Sequence, residues 1–425
     1  MMTALPTLIE GGQGFRTLQP TNRLRVLFAT PLPPHILGGI EEYAHTISGL
    51  LERMGHEISV VTARPSSYRG LVLREKPYSH SSRLFLLPSL LLFRRPFVMS
   101  PVSLLQLAAL TRNSDVVHIF MPFPGIEVAL SLLAHVLGKP VLITYACDAL
   151  VDFESREGVW DFLASFVERL YDRISAIPAL VMASLVCTSS AAFVRYSRLL
   201  GRYSRKIVVV HQGIAVEQLH EATREDVRKL RKQLVGDRFD KLVTFVGRLV
   251  PYKGLPFLLR AFRRIVSDPK AGRTILLIGG AGPMLDPLRQ QIRELGLERN
   301  ASLLGYVSES RLATLLRASD IFVAPSVSAL ESTPIAVLQA MALGVPVVVT
   351  DVGGTAESVP NDGVRGIIVP AGDEARLADA IFKLLQSPTS KMHPVNEDVR
   401  SWDDVAMEYS KLYRSVSAPR TQRKA

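Results

Sequence analysis

The sequence predicts an α/β protein built from two doubly wound, Rossmann-like domains that face each other across a cleft. Short apolar, β-branched runs recur between helix-length amphipathic segments, the pattern of parallel strands buried on both faces of a sheet. That pattern runs once from Arg23, is interrupted by a charged, helical stretch over residues 214–240, and then restarts. A chain of 425 residues is also too long for one ordinary core. The expected division is a tail over 1–22, a first domain over 23–225, a second over 226–398, a helix over 399–418 returning towards the first domain, and a basic tail over 419–425.

The first domain opens with a buried-type strand at 24–30. The loop PLPPHILGG then leads to a helix whose apolar positions Ile40, Tyr43, Ala44, Ile47, Leu50, Leu51 and Met54 fall at helical spacing. Gly55 closes it, and a strand at 57–62 completes a βαβ unit. Gly38 and Gly39 in the loop either let a ligand approach the backbone or only make a turn, since they form no G-x-G-x-x-G fingerprint. Later strands are expected at 115–120, 141–145, 185–188 and 207–210. Beyond the junction, strands are expected at 242–247, 274–279, 301–304, 321–324, 345–350 and 366–369, with a helix at 255–266. Trp402, Val405, Ala406, Tyr409, Leu412, Tyr413 and Val416 mark one last amphipathic helix.

Within the second domain, Glu331 precedes Ser332, Thr333 and Pro334, which sets a hydroxyl N-cap beside a proline at the first helical position. The helix should pass through Ile335, Leu338 and Met341 and stop near Gly344, ahead of Pro346. Unpaired N–H groups and the positive dipole end at its start suit an anionic ligand.

Composition narrows the classes. A content of 48% hydrophobic and 21% charged residues excludes disorder for most of the chain. Lys+Arg 50 against Asp+Glu 39 leaves a formal charge of +11, which fits nucleic acid, an anionic membrane surface or an anionic small substrate. No zinc-finger pattern and no aromatic-rich basic repeat is present, so nucleic acid ranks last. Cys147 and Cys187 alone supply neither a disulfide framework nor metal-ligand spacing, which suits a reducing cytoplasm. The opening MMTALPTLIEGGQGF lacks the basic and apolar regions expected of a secretory signal. Residues 174–194 carry no charge and are long enough to span a bilayer, but Pro178, several serines and Thr188 favour a buried strand ending in a Ser-rich loop. Residues 84–93, followed by Arg94 and Arg95, are too short to cross; they could dip into an anionic membrane surface or form a buried loop.

Arg248 and Lys253 lie in VGRLVPYKG directly after a buried strand, a planar fork and a mobile point charge suited together to a diphosphate. The alternative is a solvated basic loop; the glycine-rich turn GGAGP, with Gly282, argues against it, because backbone amides and cations would converge on one crevice. Glu331 could accept hydrogen bonds from sugar hydroxyls or be a surface acid. Gln339, four residues after Ile335, places an amide on the helix's apolar face, where it needs a buried polar partner or a ligand hydroxyl. His118, at the end of DVVHIF, is either a satisfied core-edge histidine or an acid/base or ligand contact. H-E-x-x-H, G-x-S-x-G, the Walker pattern and a D-x-D pair are all absent from the sequence, so a departing diphosphate would be stabilised by protein cations and helix dipoles rather than by a metal.

Taken together, GGIEEYAHTISGLLERMGHEISVVT, DVVHIFMP, PVLITYACDAL, VCTSS, KIVVVHQGI, VGRLVPYKG, IGGAGPM, LLGYVS and ESTPIAVLQAMALGVPVVVTDVGG resemble, in this order, the family-four retaining glycosyltransferases of the GT-B fold. The resemblance covers residues 23–416. It implies that Gly39 approaches the donor phosphate or acceptor, that Arg248 and Lys253 hold the diphosphate, that Tyr306 and Val307 line the base pocket, and that Glu331 contacts the donor sugar. The backbone around Thr333, Pro334 and Ile335 would face the phosphates, with Gly282 and His118 as further donor-site candidates. The implied reaction moves a sugar from a UDP- or GDP-linked donor to a hydroxyl of a glycan or lipid-linked acceptor, with retention and without a metal cofactor. A phosphorylase, an epimerase, or a sugar-nucleotide-binding partner subunit could use the same fold. Two departures stand out: Gln339 occupies the place of a second glutamate that bonds the ribose, and Ala146 the place of a histidine.

Overall fold

The computed structural model describes residues 23–33, 39–65, 83–92, 95–97, 101–148, 159–216, 219, 222–236, 238–328, 331, 334–387 and 399–418. Ser332, Thr333, Gly38 and both tails lie outside them. The first half runs β1 (Arg25–Thr30), α1 (Gly39–Arg53), β2 (Glu57–Pro65), β3 (Arg83–Leu92), β4 (Arg95–Phe97), α2 (Pro101–Arg112), β5 (Val116–Met121), α3 (Ile126–Val136), β6 (Val141–Tyr145), α4 (Val159–Tyr171), α5 (Ile177–Met182), β7 (Leu185–Thr188), α6 (Ala191–Tyr196) and β8 (Ile207–Val209). The second runs α7 (Arg224–Val235), β9 (Lys241–Val246), α8 (Leu255–Val266), β10 (Thr274–Gly279), α9 (Leu285–Glu294), β11 (Ala301–Gly305), α10 (Glu309–Ala318), β12 (Ile321–Ala324), α11 (Ile335–Ala342), β13 (Val347–Thr350), β14 (Gly366–Val369), α12 (Glu374–Gln386) and α13 (Trp402–Ser417).

These strands form two sheets, ordered β4-β3-β2-β1-β5-β6-β7-β8 and β11-β10-β9-β12-β13-β14. Only the β3–β4 pair is antiparallel among the described pairings. In each sheet the winding reverses beside the first strand, at β1/β5 and at β9/β12, and such switch points open a crevice at the strands' C-terminal ends. Alternation along β1 shows how the first sheet is covered. Leu27 and Ala29 face a core closed by α2, α3 and α5, while Val26 and Phe28 face one closed by α1 and α13.

α13 belongs physically to the first sheet although it ends the chain. Ser401 and Asp404 form a capping box at its start, and Val405, Ala406, Tyr409, Tyr413 and Val416 pack against Tyr43, Ala44, Ile47, Leu50 and Leu51.

Two apolar stretches left alternatives open in the sequence. Residues 83–92 are a strand rather than a loop: β3 pairs in parallel with β2, from Ser59↔Arg83 to Pro65↔Ser89. Leu87 is buried and Phe85 half-buried while Leu84 and Leu86 remain exposed, so period-two alternation exists but is masked by leucine on both faces. Over 174–194, helix continues from α4 through a π-turn, Asp172–Ala176, into α5, and then gives way to β7 and to α6, N-capped by Ser190. Among the described residues no helix is long and apolar enough to cross a membrane.

Candidate functional site

The loops after β9, β10, β11, β12 and β13 share one edge of the second sheet, and their main chains are interlocked. After β9 the chain makes a short 3-10 turn, Pro251–Lys253, and then enters the left-handed region at Gly254, where φ is 69°. A Cβ there would stand 1.9 Å from the carbonyl oxygen of Pro325, and next to it Val327 N–H donates to the Tyr252 carbonyl at 2.8 Å. The β9 loop is thereby seated on the β12 loop, across the switch point.

That seating brings Lys253 to Glu331. The ammonium donates to the Glu331 carboxylate, whose same oxygen also accepts from Ser326 Oγ at 2.9 Å. Only 13% of the lysine side chain and 8% of the glutamate side chain are exposed. Burial alone would lower the lysine's pKa, but the adjacent carboxylate outweighs it and the net direction is upward. Lys253 therefore stays protonated, with its charge balanced inside the site. Thr350 Oγ1 bonds the Ser326 carbonyl at 2.5 Å, and Gly354 N–H bonds the Glu331 carbonyl at 3.2 Å, so the β13 loop braces the same pair.

Arg248 is exposed on the β9 loop. Its neighbours zip onto the glycine turn: Gly247 N–H to Gly279 O at 3.1 Å, Leu249 N–H to Ala281 O at 2.9 Å, and Met284 N–H to Leu249 O at 3.0 Å. A Cβ on Gly280 would meet Gly247 O at 1.8 Å, and one on Gly282 would meet Leu249 O at 2.4 Å. The absent side chains of GGAGP thus admit the Arg248 loop itself, a tighter constraint than approach by a ligand. Tyr306 is 51% exposed at the end of β11, while Val307 is half-buried against Gly279 and the core beneath α7 and α10.

α11 begins at Ile335 with Pro334 as its N-cap and no side-chain capping bond, one position later than expected. Proline has no side-chain oxygen, so it cannot cap as a hydroxyl does. Thr333 is outside the described residues. Gln339 is half-buried, and its side chain makes no hydrogen bond among the described residues. On the first domain, Gly39 is the exposed first residue of α1, and a Cβ added there meets nothing within 4 Å.

His118 is corrected by its surroundings. It is fully buried, Nδ1 is bonded to Tyr413 OH at 2.6 Å and Nε2 to Thr144 Oγ1 at 2.8 Å, and its ring stacks 4.2 Å from Phe120. Burial drives its pKa well down, so it is a neutral core residue with neither ring nitrogen open to a ligand. Ala146 is half-buried just past β6, with its N–H on Met121 O at 3.1 Å.

Sequence reasoning missed Glu357. From the loop after β13 its carboxylate accepts Ser190 Oγ at 2.5 Å and the N–H groups of Ala191 and Ala192 at 3.2 and 3.1 Å, at the start of α6 in the first domain. Burial opposes the charged form, but these bonds outweigh it and lower its pKa. The contact joins the C-terminal edges of the two sheets. A glutamate in a glycine-rich loop carries no pattern that would have announced it.

The family described as "Glycosyltransferase Family 4" matches residues 37–218, and that described as "Glycosyl transferases group 1" matches residues 226–402. The chain belongs to the family-four glycosyltransferases. Over 396 residues this glycosyltransferase is 26% identical to an uncharacterized glycosyltransferase of Methanocaldococcus jannaschii, covering 90% of this chain and 95% of that one. It is 34% identical over 217 residues to the phosphatidyl-myo-inositol mannosyltransferase of Mycobacterium leprae, covering 49% and 54%. Anabaena HepE, solved with UDP-glucose, superimposes with a TM-score of 0.69 at 19% identity over 92% of this chain and 100% of its own. The shared architecture is GT-B, two parallel α/β sheets.

Proposed function

We propose that this glycosyltransferase moves a sugar from a nucleoside diphosphate sugar, UDP- or GDP-linked, to an acceptor hydroxyl with retention of configuration, without a metal, in glycan or glycolipid biosynthesis. The observation that carries this reading is the Lys253–Glu331 pair, held nearly dry at the switch point beside the exposed Arg248. A diphosphate entering there gains two cations, and Glu331 is positioned by Ser326 to accept hydrogen bonds from the sugar. As the anomeric carbon–oxygen bond breaks, charge develops on the departing phosphate, and Arg248, Lys253 and the start of α11 stabilise it in a preorganised site. Retention requires the hydroxyl to arrive on the face the diphosphate leaves, or a double displacement. Glu331, tied to Lys253 and Ser326, acts here as a positioning acceptor. The HepE complex with UDP-glucose supports a nucleotide-sugar donor. Among the described residues Cys147 and Cys187 are not joined in a disulfide, which supports a reducing cytoplasmic setting.

Calorimetric titration of UDP- and GDP-sugars, followed by product analysis with a lipid extract as acceptor, tests the proposal. Binding of no nucleotide sugar would overturn it. The half-buried Gln339 and Ala146 favour one second reading, a partner subunit that binds without transferring, which predicts affinity with no transfer to any acceptor. Products that depend on inorganic phosphate, or that form with no acceptor, would instead mean a phosphorylase or an epimerase.

A further inference from the structure

The helical layer on the α2–α3–α5 face of the first sheet has an unusual outer surface. Its inner side supplies the core, through Leu107, Leu130, Ala134, Ala179 and Leu180. Its outer side should be polar on a protein meeting only water. Instead Val102 and Leu105 of α2 are 73% and 74% exposed, and Val136 of α3 is 74% exposed. Along the continuous α4–α5 helix, Phe166, Leu170 and Ile174 recur every fourth residue on the solvent side and are 55%, 46% and 59% exposed. α2 packs beside α3, and α3 beside α5, so these side chains belong to one surface.

Among the described side chains, the exposed charges on that surface have one sign. Among the described residues, the exposed charged side chains of α2, α3, α4, α5 and the π-turn between the last two are Arg112, Arg169 and Arg173. The described acids of the same helices and the π-turn between them face inward: Glu127 accepts from Phe123 N–H and Ser175 Oγ, while Glu168 and Asp172 pair with Arg198. Arginines interleaved with exposed leucine, isoleucine and phenylalanine complement a surface that is anionic outside and hydrocarbon within. A symmetric pairing of two copies through this face would bring the same arginines together, which argues against self-association.

We propose that this face docks the protein on an anionic lipid bilayer. The apolar stripe enters the headgroup region while Arg169 and Arg173 meet lipid phosphates. The surface lies on the flank of the sheet, so docking leaves the strand C-terminal edge and the Lys253–Glu331 site uncovered. The inference goes beyond the transferase reading and does not depend on it.

The test is co-sedimentation of the full chain with vesicles of phosphatidylcholine alone or with added phosphatidylglycerol, at low and high salt. Binding is expected only with phosphatidylglycerol and should weaken with salt. The double substitution Arg169→Gln/Arg173→Gln should lower partitioning about thirtyfold, each arginine near an anionic surface contributing about fivefold. Leu105→Asp/Ile174→Asp should abolish it. Both pairs are exposed, so thermal unfolding and solution binding of UDP or GDP should match the parent chain, which separates this test from that of the donor reading. Failure of the parent chain to bind anionic vesicles would overturn the proposal, as would unchanged binding by both variants. A dimer that Ile174→Asp disperses, with no vesicle binding, would assign the face to a second copy instead.

Discussion

Replacing Lys253 by alanine separates what the buried pair does for the fold from what it does for the reaction. The variant leaves the Glu331 carboxylate, 8% exposed, with Ser326 Oγ as its remaining side-chain partner. Removing one member of a buried pair costs about 3–5 kcal/mol, and the lower end applies because neither side chain is fully dry and Ser326 still donates. Lys253→Ala should therefore lose about 3 kcal/mol in urea unfolding followed by far-UV circular dichroism. Sugar transfer should fall about a hundredfold or more, the scale of losing one preorganised charge on a leaving group. A neutral pair, Lys253→Met/Glu331→Gln, removes the stranded carboxylate and leaves an amide oxygen in its place to accept from Ser326. It should recover stability to within about 1 kcal/mol while transfer stays low. The pH dependence has a definite sign. The folded pKa of Lys253 is raised, so its stabilisation is complete at neutral pH and is lost only as pH rises through the folded value, above the ordinary 10.5. Near-normal transfer by Lys253→Ala would refute the role assigned to the lysine.

Three further outcomes are expected. Gly280→Ala forces a Cβ to 1.8 Å from Gly247 O at a φ of 142°, so it should destabilise by about 3 kcal/mol or more and weaken donor binding through the displaced Arg248 loop, read by unfolding and calorimetry. Gln339→Glu should tighten nucleotide binding about fivefold, the difference between a neutral and a charge-assisted hydrogen bond to ribose; unchanged affinity in calorimetry would misplace that side chain. Tyr413→Phe strips a partner from buried His118 and should cost about 1–3 kcal/mol, while the turnover of the folded fraction stays at the parent value.

The fold was legible where short apolar runs are sharply bounded. Strands at 141–145, 185–188, 274–279, 321–324 and 366–369 have the bounds read from sequence, because β-branched runs end sharply at glycine, proline or polar loops. β3 was not legible, since exposed Leu84 and Leu86 erase the contrast between its two faces. Exposed Ile174 and Val181 similarly kept residues 174–194 apolar enough to be weighed as a membrane span. At the site, sequence put Arg248, Lys253 and Glu331 on loops after strands, which is a local property. That Lys253 closes on Glu331, 78 residues away, depends on which strand lies beside β9. One partner of His118, Tyr413, lies 295 residues downstream, and Ser190, the hydroxyl partner of Glu357, lies 167 residues upstream in the other domain. No spacing rule spans such distances.

The position of α13 has a consequence for synthesis. Elements from β1 to β8 emerge from the ribosome first, yet the face of their sheet that carries Val26, Phe28, Val60 and Phe120 is completed by residues 402–417. The second sheet, by contrast, has all its strands and covering helices between Lys241 and Gln386, apart from α7 just before them. It can close while α13 is still inside the exit tunnel. The usual order, in which the N-terminal domain matures first, is inverted. Until α13 emerges, the nascent first sheet presents an uncovered apolar face, and ribosome-arrested chains ending before Trp402 should engage chaperones that chains extended past α13 and the tunnel do not.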